Sequence, residues 1–322
     1  MEPNESNALC ELSQIACDSF DSRFEERRFR SGTRSQPIAV VEVLLHEHDA
    51  TRLPIIMIHG GFHTGRSFLR TPDNRAGWAH VFAQRGHKVL LPDWPGHGMS
   101  PGLDRLTAIG SKDVAEAIGV LVQEVGQCIL LAHSAGGPVA WWLTEAYPEL
   151  IAAVIGVAPG SPANLLEALP EVQVAYATNI TSRTAGHPIY AAQGQPVEVD
   201  SSFIKEFWAN SALFPTAHLQ EYIKTVVPES PRILNERFNI GGTGLYLRSP
   251  ELVAARPILI VTGENDLRHP RHVDAALANF LKAKFYWLPD EGIRENGHMQ
   301  MLESNSHDIA ALLVEWLNSE SL

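Results

Sequence analysis

The chain has 322 residues, 45% of them apolar and 19% charged, with a net charge of −12. It is long enough to bury a large core, as one long α/β domain carrying an insertion or as two units of ordinary size. The acidic balance excludes a nucleic-acid or anionic-membrane partner, since either calls for a basic face. The three cysteines, Cys10, Cys17 and Cys128, make an odd set with no C-x-x-C spacing. That points away from a disulfide framework and from zinc, and towards a reducing compartment. Met1 to Phe20 is acidic and broken by polar residues, unlike a signal peptide. No run approaches the ~18 apolar residues that span a bilayer. The expectation is a soluble, cytoplasmic protein of open oligomeric state, a homodimer included, that makes no membrane contact.

In chain order, residues 1–23 read as a poorly ordered arm. Phe24 to Arg30 and Pro37 to Leu45 read as strands, the second alternating and β-branched. Ile55 to Ile58 is a short buried strand running into His59-Gly60-Gly61-Phe62. Ala76 to Gln84 has helical spacing, with Gly86 as its stop. Lys88 to Leu91 is the next strand and leads into Asp93-Trp94-Pro95-Gly96-His97-Gly98-Met99-Ser100. A helix from Asp113 to Val125 closes at Gly126. Cys128 to Ala132 is a buried strand, Ile151 to Val157 another and Pro257 to Thr262 another. His272 to Ala283 is helical, Lys284 to Leu288 strand-like, and Ser306 begins a last helix. Apolar strands alternating with helices predict a mostly parallel sheet covered on both faces. Between strands the segment 160–250 breaks the alternation. It is aromatic and helical in pattern, and it is interrupted by Pro188, Pro196, Pro215, Pro228 and Pro231. It reads as a mainly helical insertion over the strand ends, its aromatics forming a core of their own.

The chemistry centres on His133-Ser134-Ala135-Gly136-Gly137, between the strand ending at Ala132 and a helical pattern through Val139, Ala140 and Leu143. A serine at an abrupt strand-to-helix change holds its hydroxyl out of the sheet, and small neighbours let backbone approach backbone. The plain alternative is a helix-capping serine. A nucleophilic serine also needs a base and a group that orients the base. Gly263-Glu264-Asn265-Asp266 follows one later strand, and Gly297-His298 follows another. In an open parallel sheet such loops converge at the carboxyl ends of the strands. His46 and His48 alternate near a strand end, but no third metal ligand is in view. Glycine-rich stretches lack the lysine of a phosphate loop, so no cofactor is expected.

Taken together, Gly60-Gly61, the D-x-x-G-x-G-x-S stretch from Asp93 to Ser100, the A-H-S-A-G-G elbow, the acid loop and the histidine loop resemble the α/β-hydrolase fold over about residues 24–320. The resemblance implies a doubly wound core over 24–159 and 251–322, with 160–250 as a cap. It implies Ser134 as nucleophile, His298 as general base and Asp266 as orienting acid, with Glu264 as the alternative acid. The backbone N–H groups of Ala135 and of Gly61 or Phe62 would form the oxyanion hole. Phe62, His63 and Trp94 are the expected substrate neighbours. The implied activity is hydrolysis of a small-molecule carboxylic ester. A lactonase, thioesterase or acyltransferase would use the same parts, and a non-catalytic receptor would keep only the fold.

Overall fold

The computed structural model describes residues 21–47, 49–171, 178–183 and 188–322. Most of the expected arm, with Cys10 and Cys17, lies outside the described residues, and so does His48. Among those described, eight strands form one sheet in the order β1-β2-β4-β3-β5-β6-β9-β10. They are β1 (Phe24–Gly32), β2 (Pro37–Leu45), β3 (Ile55–Ile58), β4 (Val89–Pro92), β5 (Cys128–His133), β6 (Ile151–Val157), β9 (Ile258–Thr262) and β10 (Lys284–Trp287). A separate two-residue pair, β7 (Asn179–Ile180) with β8 (Glu198–Val199), lies between β6 and β9. Strand β2 runs antiparallel to β1 and β4, and every other pairing in the large sheet is parallel.

The central strands are apolar throughout because both faces are covered. Within β5, Ile129 and Leu131 join one core cluster, whereas Cys128, Leu130 and Ala132 join the other. The same two-residue period splits Ile55 and Met57 from Ile56 and Ile58. One face is covered by α2 (Trp78–Gln84) and α10 (Ser306–Ser319), through Trp78, Phe82, Ile309, Leu313 and Trp316. The other is covered by α3 (Ser111–Val125), α4 (Gly136–Ala146) and α9 (Arg271–Leu281), through Ile118, Leu121, Val139, Leu143 and Leu277. A four-residue α1 (Arg66–Leu69) follows the loop after β3. The expected doubly wound α/β-hydrolase sheet is therefore what the chain forms. No helix among the described residues is long and apolar enough to cross a membrane.

The segment between β6 and β9 is less regular than its spacing suggested. Its helices are short: α5 (Ser201–Phe203), which continues as a π-type turn to Trp208, α6 (Leu219–Ile223), α7 (Pro231–Arg237) and α8 (Pro250–Ala254). Pro231 and Pro250 each start a helix, where the missing N–H costs nothing. Other prolines interrupt the chain before a helix can lengthen. Phe203, Trp208, Phe214 and Tyr222 are buried in the same cluster as Phe62 of the sheet's β3 loop. The aromatics thus bind the segment to the sheet as well as to itself.

The glycines after Ser134 have a steric reason. A Cβ on Gly136 would lie 2.7 Å from the His59 carbonyl oxygen and 2.9 Å from that of Ile58. On Gly137 it would lie 2.6 Å from backbone atoms of Gly160. Helix propensity alone favours alanine over glycine by about 1 kcal/mol. The contact reverses that sign, so Gly136→Ala should lower the melting temperature. An unchanged or raised value in thermal unfolding would contradict the close approach.

Candidate active site

Ser134 adopts φ +50°, the left-handed region that a non-glycine residue enters at a cost of ~1–3 kcal/mol. Hydrogen bonds on both sides of the residue hold it there. Its N–H donates to the Val157 carbonyl at 3.2 Å, and its carbonyl accepts from Gly137 at 2.9 Å and from Gly160 at 2.7 Å. The turn aims the hydroxyl at His298, whose Nε2 lies 3.1 Å from Oγ. The His298 Nδ1 lies 2.8 Å from Oδ2 of Asp266. The other carboxylate oxygen of Asp266 accepts the backbone N–H groups of Arg268 (2.8 Å) and His269 (3.1 Å). Burial opposes the Asp266 charge, but the facing His298 imidazole outweighs it and holds the carboxyl below its usual range. An ionised Asp266 can only accept, which assigns the proton to Nδ1 and leaves Nε2 free to accept from the serine.

Glu264 does not reach this line. It pairs with Arg294 at 3.0 Å and accepts the Glu295 N–H at 3.1 Å on the outside of the loop. The loop carrying His298 is anchored by buried Glu303, which accepts the Gly297 N–H at 2.8 Å and a bond from Asn296. The rings of His133 and His269 flank His298, with centroids 4.6 and 5.5 Å away.

A narrow pocket opens over Ser134, lined by Gly61, Phe62, His63 and Ala135 from the sheet side. Phe203, Trp208, Leu234, Phe238 and Arg237 line it from the inserted segment, and Arg268 comes from the acid loop. A wider cleft beyond His63 and Tyr222, lined by Arg66, Arg70 and Glu221 among others, does not include Ser134. Among the described residues, no acceptor takes the N–H of Gly61 or of Ala135. Ala135 precedes the first residue of α4, where the helix dipole favours negative charge.

Two expectations need correction. Trp94 is fully buried and stacks on His59 at 4.5 Å. It belongs to the core cluster on the sheet face that holds Ile118 and Leu121, so it does not line the pocket. Its motif builds a turn instead: Asp93 accepts the N–H groups of Gly65 and Met99, each at 2.8 Å. The N–H of Phe62 is already engaged, donating to Oε2 of Glu229 at 3.0 Å, which leaves Gly61 as the open donor of the pair.

Glu229 was not visible in the sequence, because it sits between two prolines with no motif around it. It is fully buried, and its Oε1 faces Nε2 of His97 at 3.1 Å while accepting the Ser230 N–H at 2.7 Å. The other His97 nitrogen faces the Pro95 carbonyl at 3.0 Å. Both nitrogens thus meet acceptors, which suits the imidazolium. Burial disfavours that charge, yet the Glu229 carboxylate prevails and raises His97 above its ordinary 6.5. Nearby, His63 spans Gly61 O (2.7 Å from Nδ1) and the Tyr222 hydroxyl (2.8 Å from Nε2). Burial pushes His63 down to about 4, so it bridges the two as the neutral ring. The Val227 N–H donates to Phe62 O at 2.9 Å. Burial also pushes the Cys128 thiol up to about 12, which keeps it unreactive. No group of three or more His, Cys, Asp or Glu side chains among the described residues is arranged to hold a metal.

Comparison with known proteins bears on the lineage of this arrangement. The chain is 23% identical over 342 residues to the probable secreted lipase phiG of Fungal sp. (strain ATCC 74256), covering 87% of this chain and 85% of that one. Its fold is similar to the methylesterase MES16 from Arabidopsis, with a TM-score of 0.60 at 15% identity over 83% of this chain and 99% of that one. It is also similar to the carboxylesterase CesB (YbfK) from Bacillus subtilis, with a TM-score of 0.58 at 14% identity over 91% and 92%. The model of the alpha/beta hydrolase family matches residues 55–312, four-fifths of the sequence, and the chain belongs to that family.

Proposed function

We propose that the protein is a serine hydrolase that cleaves a carboxylic ester through an acyl-enzyme on Ser134. The observation that carries this reading is the continuous line from Ser134 Oγ through His298 to Asp266, at 3.1 and 2.8 Å, on the wall of a pocket. In the reaction, Ser134 Oγ attacks the ester carbonyl carbon while Nε2 of His298 takes the hydroxyl proton. Asp266 stabilises the imidazolium and fixes its ring. The carbonyl oxygen becomes an oxyanion, received by the N–H groups of Gly61 and Ala135. Each such donor contributes ~3 kcal/mol of transition-state stabilisation. On collapse, His298 returns the proton to the departing alcohol oxygen, and a water activated by the same ring releases the acid. Phe62 and His63 supply pocket wall. Cysteine usage supports a cytoplasmic setting.

Glu229 has a positioning role in this scheme. It holds Phe62, at φ +62°, by accepting its N–H. Its charge is balanced by His97, so it fixes the donor loop without opposing an oxyanion.

The test is a panel of p-nitrophenyl esters of rising chain length, with lactone and thioester members, on wild type and variants. Ser134→Ala should lose at least about 10⁴-fold in kcat. Asp266→Asn should lose about 10⁴-fold, and Glu264→Gln under about tenfold, because its carboxylate is turned to Arg294. Full turnover by Ser134→Ala would overturn the nucleophile, and the reverse order of the two acids would move the orienting role to Glu264.

The His97–Glu229 pair gives a pH signature. A histidine with a raised folded pKa adds stability that is fully present below its unfolded value of 6.5 and is lost as pH rises through the folded one. Glu229→Gln should therefore be most destabilising below pH 6.5, with the gap to wild type closing at higher pH. A gap that widens with pH would contradict the charged pair.

A further inference from the structure

The pocket over Ser134 contains two cations that the hydrolytic scheme does not use. Arg237 ends α7 and Arg268 follows Asp266 by two residues, and both line the pocket with Ser134 and His298. Each is only partly exposed. Several other arginines meet carboxylates, among them Arg232 with Glu236, Arg271 with Asp290 and Arg294 with Glu264. Among the described residues, neither the Arg237 nor the Arg268 guanidinium makes a hydrogen bond or an ion pair. The Arg268 guanidinium lies over two neighbouring rings, 5.8 Å from the Phe203 centroid and 5.5 Å from that of Phe207. That of Arg237 is pressed towards Gly160, where an added Cβ would come within 2.8 Å of its Nε.

Among the described residues, no carboxylate lines this pocket. The nearest ones are engaged elsewhere: Asp266 by His298 and two backbone N–H groups, Asp274 by Thr262 (2.6 Å) and His269 (3.0 Å). In a chain of net charge −12 the pocket lining carries two cations, which Asp274 and Asp266 offset through space without forming an ion pair with either. Holding two like charges in a partly desolvated space is unfavourable unless an anion joins them. Burial, with repulsion from Arg268, brings Arg237 down to about 10, still protonated at neutral pH. A planar guanidinium fork matches a carboxylate through two parallel N–H···O bonds.

We propose that Arg237 and Arg268 form an anion subsite, and that the ester cleaved at Ser134 carries a carboxylate on its acyl or alcohol part. The aromatic wall of Phe203 and Trp208 then holds the apolar stretch between the ester and the anion. This inference rests on the reading of Ser134 as nucleophile.

Two isosteric pairs test it by pH-stat. Monoethyl adipate against ethyl hexanoate places the carboxylate on the acyl side; 3-acetoxypropanoate against propyl acetate places it on the alcohol side. In wild type, at least one pair should show kcat/KM higher for the anionic member by about tenfold or more, as expected of a charge-assisted hydrogen bond. That ratio should fall towards one in Arg237→Met and in Arg268→Met, while Arg237→Lys, which keeps charge but loses the fork, retains part of it. The inference is overturned if wild type favours neither anionic ester, a result that needs no variant to fold. It is also overturned if the ratio survives in both methionine variants, or if both members of a pair fall by one common factor. In each of these cases Ser134-dependent cleavage of the neutral esters would leave the hydrolase reading standing. Failure of wild type on every ester would remove both.

Discussion

The structure depends on one strained residue being held in place. Ser134 sits at φ +50° between β5 and α4, where the chain reverses within a few residues. Its carbonyl is fixed by Gly137 and Gly160, and its N–H by Val157 on the next strand. Those bonds exist because α4 starts almost in contact with the backbone of the β3 loop and of the loop after β6, which only glycine at 136 and 137 allows. The geometry is therefore paid for by the whole sheet edge, and the hydroxyl keeps its direction without a flexible side chain having to find it.

A second constraint acts across the pocket. The loop after β3 is bonded to the inserted segment at three points: Val227 to Phe62 O, Phe62 N to Glu229, and Tyr222 through His63 to Gly61 O. The insertion is irregular because prolines interrupt it, yet it meets this loop through buried polar groups with satisfied partners. It contributes Phe203, Trp208 and Arg237 to the pocket wall as well. Under the proposed chemistry, the segment that selects substrate is the one that holds an oxyanion donor in place. Changes in the insertion would then alter turnover together with specificity.

The sheet was legible in the sequence because its strands are short apolar runs with turn residues at both ends, and the alternation with helices fixed the class. Ser134, Asp266 and His298 were legible for a related reason. Each follows such a run at a strand's carboxyl end, and the sheet brings those ends together. Glu264 and Asp266 could not be separated from spacing alone. Only the fold turns Glu264 outward to Arg294 and Asp266 inward to His298. Trp94 was misread because loop position gives proximity to a site but not the face of the sheet a side chain takes. Glu229, Arg237 and Tyr222 carry no local signal. The first and last act through contacts across more than a hundred residues of chain, and Arg237 through the pocket it lines, which no periodicity records.

The central claim is that the Ser134 hydroxyl is the reactive atom of this molecule, activated by His298. Its most direct test is incubation with a fluorophosphonate probe, followed by intact-mass analysis and mapping of the modified peptide. A single adduct on the peptide containing Ser134, absent in Ser134→Ala and formed far more slowly in His298→Ala, is the expected result. A folded protein that takes no label, or one labelled at another residue, would contradict it.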